Sequence, residues 1–166
     1  ACSGLNVVLV LDESGSIGSQ EGTVESAAQA AVGAFKDTGV SLALIQFSDE
    51  ATNIDVDGGG VFTSGYNVVD GAYETAFNNY ITGGYDPLGC TNWEDAGEAI
   101  LSLPDADLII FMTDGNPTAW NANDGTTDVC FGICWSCDQS LQEAVPVWDE
   151  IKDTGAHVFA LGVGTA

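Results

Sequence analysis

Residues 5–11 read Leu-Asn-Val-Val-Leu-Val-Leu and run directly into Asp12. A nearly unbroken apolar run of that length, partly β-branched, suits a strand covered on both faces, the environment of a parallel sheet layered between helices. Residues 40–47 (Val-Ser-Leu-Ala-Leu-Ile-Gln-Phe), 108–112 (Leu-Ile-Ile-Phe-Met) and 157–163 (His-Val-Phe-Ala-Leu-Gly-Val) repeat the pattern. Between these runs, apolar residues recur at helical spacing. One stripe holds Val24, Ala28, Val32 and Phe35, and a second holds Val68, Val69, Ala72, Tyr73, Ala76, Phe77 and Tyr80. A third holds Trp93, Ala96, Ile100 and Leu103. The fourth holds Leu141, Ala144, Val145, Trp148 and Ile151, and its helix is expected to be kinked or begun at Pro146. Residues 51–56 alternate instead, Ile54 and Val56 against Asn53 and Asp55, which predicts a short antiparallel edge strand. The expected fold is α/β, a three-layer, mostly parallel twisted sheet with one antiparallel edge strand and helices on both faces. One domain over residues 1–166 accounts for the pattern, with a Cys- and Trp-containing insertion at about 115–138 that exceeds ordinary connections in length.

In open α/β sheets, ligands bind beyond the carboxyl ends of the strands, where the strand order reverses. The polar residues that follow each apolar run are therefore the candidates. The first strand leads into Asp12-Glu13-Ser14-Gly15-Ser16, the 108–112 strand leads into Thr113-Asp114-Gly115, and the loop before the Trp93 stripe holds Cys90-Thr91-Asn92. Carboxylates and hydroxyls thus gather at one end of the sheet. All are hard oxygen ligands, a set that suits Mg²⁺, Ca²⁺ or Mn²⁺ and disfavours zinc or copper. Helix capping by Asp12 and Ser14 is the plainer reading, but it leaves Thr91 and Asp114 without a reason.

At these residues the chain resembles the von Willebrand factor type A domain and its metal-ion-dependent adhesion site. The family pattern is Asp-x-Ser-x-Ser after the first strand, a threonine in a later loop and an aspartate after the fourth strand. It matches Asp12, Ser14, Ser16, Thr91 and Asp114 in order. The resemblance spans residues 5–163 and implies a Rossmann-like fold with one divalent cation, Mg²⁺ foremost. It implies that Ser14 and Ser16 bind the ion directly, that Asp12 and Asp114 do so directly or through water, and that Thr91 joins when ligand is engaged. The open coordination position then accepts a carboxylate from a partner's Asp or Glu.

Two departures qualify the resemblance. The family continues to a sixth strand and a final helix, whereas this sequence ends at Ala166, just after its fifth strand. That end, and an opening Ala1-Cys2-Ser3 in place of Met, suggest a mature or excised segment of a longer polypeptide, or a sheet edge completed by a neighbouring subunit. The family's affinity switch is accordingly not carried over. The second departure is the insertion, which brings Trp120 and Trp135 to the metal end beside Trp93. These three rings are candidate ligand contacts, since aromatic faces near a hard cation suit sugars, and they equally serve as loop anchors. Cys90, Cys130, Cys134 and Cys137 are expected near one another. The paired arms of a four-thiolate zinc site are lacking on the Cys90 side, so two disulfides fit better, one tying the insertion to the Thr91 loop. Cys2 is then unpaired within the chain or bonded outside it.

Composition narrows the partners. Two Lys+Arg stand against 25 Asp+Glu, a formal net charge of −23 over 166 residues. Such a chain repels phosphate backbones and anionic bilayers, which argues against nucleic acid, and no apolar run approaches the ~20 residues of a membrane span. The lone histidine, His157, starts its strand at the end away from the candidate site, so a Ser/His/Asp or Cys/His nucleophile finds no support. Asp12-Glu13-Ser14 also lacks the Asp-x-Asp pattern of phosphoryl-transfer enzymes. The expectation is a secreted, extracellular or cell-surface module, not an enzyme, that uses its cation to engage an acidic protein ligand or a glycan in adhesion. The alternative is a structural protomer of a surface filament or extracellular matrix assembly.

Overall fold

The computed structural model describes residues 4–121, 127–128 and 137–164. Strands and helices follow in the order β1 (Asn6–Asp12), α1 (Glu21–Phe35), β2 (Ser41–Phe47), β3 (Ala51–Ile54), β4 (Asn67–Val68), α2 (Gly71–Gly84), α3 (Trp93–Leu101) and β5 (Leu108–Thr113). There follow β6 (Trp120–Asn121), β7 (Thr127–Asp128), α4 (Cys137–Asp153) and β8 (His157–Gly162). A short 3₁₀ turn, Gly15–Gln20, links β1 to α1.

The main sheet runs β3-β2-β1-β5-β8, and β4 also pairs with β2. β1 is parallel to both β2 and β5, and β5 is parallel to β8; β3 and β4 are antiparallel to β2. Alternate residues of the central strands divide the core into two layers. Val7, Leu9 and Leu11 face α1 and α2, where Val24, Ala28, Val32, Tyr73, Phe77 and Ile81 cover them. Val8, Val10, Ile45, Phe47, Ile109 and Phe111 face the opposite way, toward Ala96 and Ile100 of α3 and Ile151 of α4. This is the mostly parallel, three-layer α/β architecture expected from the apolar runs. Phe111 anchors the second layer, stacked on Phe47 at 5.2 Å and meeting Trp93 and Trp148 edge-on at 5.7 and 4.9 Å.

Three expectations are corrected. The second helical stripe includes Val68 and Val69, yet Asn67–Val68 is a strand on β2, and α2 starts at Gly71. Asp70 decides that start: its carboxylate accepts the Ala72 and Tyr73 amides at 2.9 Å, an N-cap that fixes where the helix can begin. The last helix does not begin at Pro146; it starts at Cys137, and Pro146 lies inside it. A stretch expected to be loop also holds the two-stranded β6–β7 ribbon.

Among the described residues, β8 is an edge strand of the main sheet. The His157 and Val163 amides donate toward β5, to Asp107 and Thr113. By strand alternation the N–H and C=O groups of Val158, Ala160 and Gly162 therefore point outward. Phe159 is 58% exposed and Val158 41%. Among the described residues, no helix is long and apolar enough to cross a membrane.

Candidate metal centre

β1 connects to β2 on one side and has β5 on its other, so the strand order reverses between the C-termini of β1 and β5. Asp12 ends the one strand and Thr113-Asp114 the other. A chain of hydrogen bonds joins them: the Thr113 hydroxyl donates to Asp12 Oδ2 at 2.6 Å, and the Ser14 amide donates to Asp12 Oδ1 at 2.9 Å. The Ser14 and Ser16 hydroxyls are 3.0 Å apart, and Ser16 Oγ donates to Asp114 Oδ1 at 2.8 Å. Four of the five expected ligands thus share one network. Asp12 and Ser14 are its buried floor, and Ser16 is its exposed rim. Thr113 is a member that sequence reasoning passed over, although it stands between an apolar run and an expected ligand.

Thr91, the fifth, is buried, and the hydrogen bonds it makes run to Thr118 and Ala119, outside this network. The segment before it is zippered to the Asp12 loop. Tyr85 donates its hydroxyl to the Asp12 carbonyl, the Asp86 amide donates to Glu13 Oε1 at 2.6 Å, and the Leu88 amide donates to the Glu13 carbonyl at 2.8 Å. The Gly15 amide then donates to the Gly89 carbonyl at 3.0 Å. On its other side, the Thr91 amide donates to Thr118 Oγ1 at 3.0 Å, and its carbonyl accepts the Thr118 and Ala119 amides. Asn92, fully buried, caps α3 by accepting the Asp95 amide.

The electrostatics are those of an anion without a counterion among the described residues. Burial pushes the Asp12 carboxyl above its ordinary range; the Ser14 and Thr113 hydrogen bonds oppose this, and the Asp114 charge adds to it. Both lysines are engaged elsewhere, Lys36 with Glu74 and Lys152 with Asp149, each at 2.7 Å. Two carboxylates and several hydroxyls on one network are a donor set that fits a hard divalent cation. No cluster of three or more His, Cys, Asp or Glu that could hold a metal occurs among the described residues.

The aromatic and cysteine candidates separate. Trp93 is packed against Phe111, and its carbonyl accepts the Trp148 indole N–H at 3.0 Å. Trp120 is half-buried in β6. Cys90 is buried and disulfide-bonded. Cys137 starts α4, whereas Trp135, Cys2, Cys130 and Cys134 lie outside the described residues.

No known family's sequence profile matches the chain, and no curated protein matches it. Solved structures do. The pilus adhesin SpaC of Lactobacillus rhamnosus GG superposes with a TM-score of 0.67 at 16% identity, over 96% of this chain and 24% of that one. Manganese-loaded TRAP protein of Plasmodium vivax gives 0.64 at 18%, over 98% and 58%. The vWF domain of the type V pili tip protein Mfa5 from Porphyromonas gingivalis gives 0.50 at 21%, over 74% and 42%. The chain spans between about a quarter and somewhat more than half the length of these proteins. The likeness is one of fold, and the fold is that of the von Willebrand factor type A domain.

Proposed function

We propose that Asp12, Ser14, Ser16, Thr91 and Asp114 hold one divalent cation, Mg²⁺ foremost, with Ca²⁺ and Mn²⁺ compatible. In this reading the protein is a non-enzymatic, extracellular adhesion module. The observation that carries it is the buried Asp12 carboxylate, linked to Thr113, Ser14, Ser16 and Asp114 in a chain whose two lysines are paired elsewhere. A carboxylate with no internal counterion is stabilised by a cation from outside. With two carboxylates at most in its shell, the cation stays electrophilic and draws an anionic oxygen from a partner, an Asp or Glu side chain, or hydroxyls of a glycan. Trp93, Trp120 and Trp135 are the candidate aromatic contacts for such a ligand. The manganese-loaded state of TRAP and the pilus setting of SpaC and Mfa5 support the reading by analogy of fold. The disulfide at Cys90 suits an oxidising compartment, with its partner among Cys130, Cys134 and Cys137. Isothermal titration with Mg²⁺ and Mn²⁺ tests the site. Binding at one equivalent that Asp12→Ala abolishes is expected, and binding unchanged in that variant overturns the assignment.

A second reading has its own observation. β8 offers outward backbone groups and an exposed Phe159 at the sheet edge, as a subunit of a filament or matrix would for a neighbour. Electron microscopy of the native material separates the two, since ordered polymers favour the filament subunit and dispersed particles the adhesion module.

A further inference from the structure

The β2–β3 turn, residues 48–50, carries none of the expected ligands, yet it grips the segment that delivers Thr91. Asp49 Oδ1 accepts the Cys90 amide at 2.8 Å. The Asp49 carbonyl accepts Asn92 Nδ2 at 3.0 Å, and the Ser48 carbonyl accepts the Asn92 amide at 2.9 Å. Residues on both sides of Thr91 are therefore fastened to one turn. The fit is close: Gly89 has φ +83°, and a Cβ built there would lie 2.8 Å from Asp49 Oδ2. The loop thus rests against the carboxylate where only a glycine can pass, and the carbonyl of that glycine bonds Gly15, between the two serines of the site.

Building on the cation site proposed above, we propose that Asp49 is a positioning residue: its carboxylate fixes the Cys90 amide and thereby sets where the Thr91 hydroxyl meets the ion. Asp49 is exposed and holds the loop from outside the ligand set. Its role is that of an acceptor of one amide proton, not of a charge near the cation. Asparagine keeps an oxygen of the same reach and removes the charge, so the two roles can be told apart.

The test is Mn²⁺ affinity by isothermal titration on the full chain, with melting temperature recorded for each variant. Asp49→Asn should stay within about twofold of the parent, while Asp49→Ala should bind on the order of fivefold to tenfold more weakly, as the loss of one positioned hydrogen bond predicts. In a Thr91→Ala background, Asp49→Ala should add nothing, because its effect passes through Thr91. Should Asp49→Ala fail to fold, Asp49→Ser, whose hydroxyl falls short of the Cys90 amide, gives the same comparison. Unchanged affinity in Asp49→Ala, an equal loss in Asp49→Asn, or additivity with Thr91→Ala each overturns the positioning role and leaves the cation site standing. A parent protein that binds no Mn²⁺ overturns both.

Discussion

The phenol of Tyr85 reaches across from the end of α2 to donate a hydrogen bond to the main-chain carbonyl of Asp12. Tyr85 is 3% exposed, and burial together with the negative charges of Asp12 and Glu13 lifts its hydroxyl far above the ordinary tyrosine range, so it remains a donor at any physiological pH. The bond fixes the strand end on which the candidate site is built. Tyr85→Phe keeps the ring and leaves that carbonyl buried without its partner. We expect a loss of ~1–3 kcal/mol in urea unfolding with the slope unchanged.

Gly97 of α3 packs against α4; a Cβ there would meet Val147 Cγ1 at 2.5 Å. Gly97→Ala should push the two helices apart and cost ~1–3 kcal/mol, despite alanine's better helix propensity. A variant as stable as the parent in urea unfolding would show that α4 shifts freely at this point.

Glu94 supplies the pH dependence. Burial raises its carboxyl above the ordinary value, the Glu98, Glu143 and Asp95 carboxylates add to this, and the hydrogen bond from the Asn121 amide opposes it. A carboxyl whose pKa is higher folded than unfolded binds more proton in the native state, so its share of stability is greatest at low pH and is lost as pH rises through the folded value. Glu94→Gln keeps an acceptor for Asn121 and removes the titration. Its melting temperature should exceed the parent's at pH ~7 and converge with it only below the ordinary glutamate range, under pH ~4.5, with equal curves refuting the shift.

Self-repulsion sets the response to salt. With 25 acidic residues against two basic ones, added NaCl at constant EDTA should raise the melting temperature by screening. A flat or falling curve would show that the carboxylates are already far enough apart.

Much of this was legible in the chain. β1, β2 and β5 announce themselves as apolar runs because strands buried on both faces have no polar side to alternate with, whereas β8 carries the same apolar pattern with most of its residues exposed. The place of the candidate site was legible for the same reason, since Asp12 and Asp114 stand where such runs end. What escaped were features set by pairing or by backbone contact. Val68 keeps phase with the α2 stripe, and only the cap at Asp70 excludes it from the helix. Thr113 follows its apolar run like the expected ligands but has no place in the family pattern, and the grip of Asp49 on Cys90 spans 41 residues with no periodicity to signal it. Pro146 does not mark the start of α4, which begins earlier, at Cys137.

The outward amides of β8 also bear on how the protein behaves at high concentration. A half-satisfied ladder rimmed by Phe159 is a template on which a second sheet edge can crystallise, and the safeguard against that is long-range repulsion between molecules. That safeguard is conditional. As acidity approaches the isoelectric point near 4.1, the carboxylates take up protons and the molecules lose what holds them apart, while the ladder stays as it was. Samples brought to that acidity should therefore form more thioflavin-positive deposits than samples at neutral pH, and Phe159→Lys on the His157–Gly162 strand should suppress them.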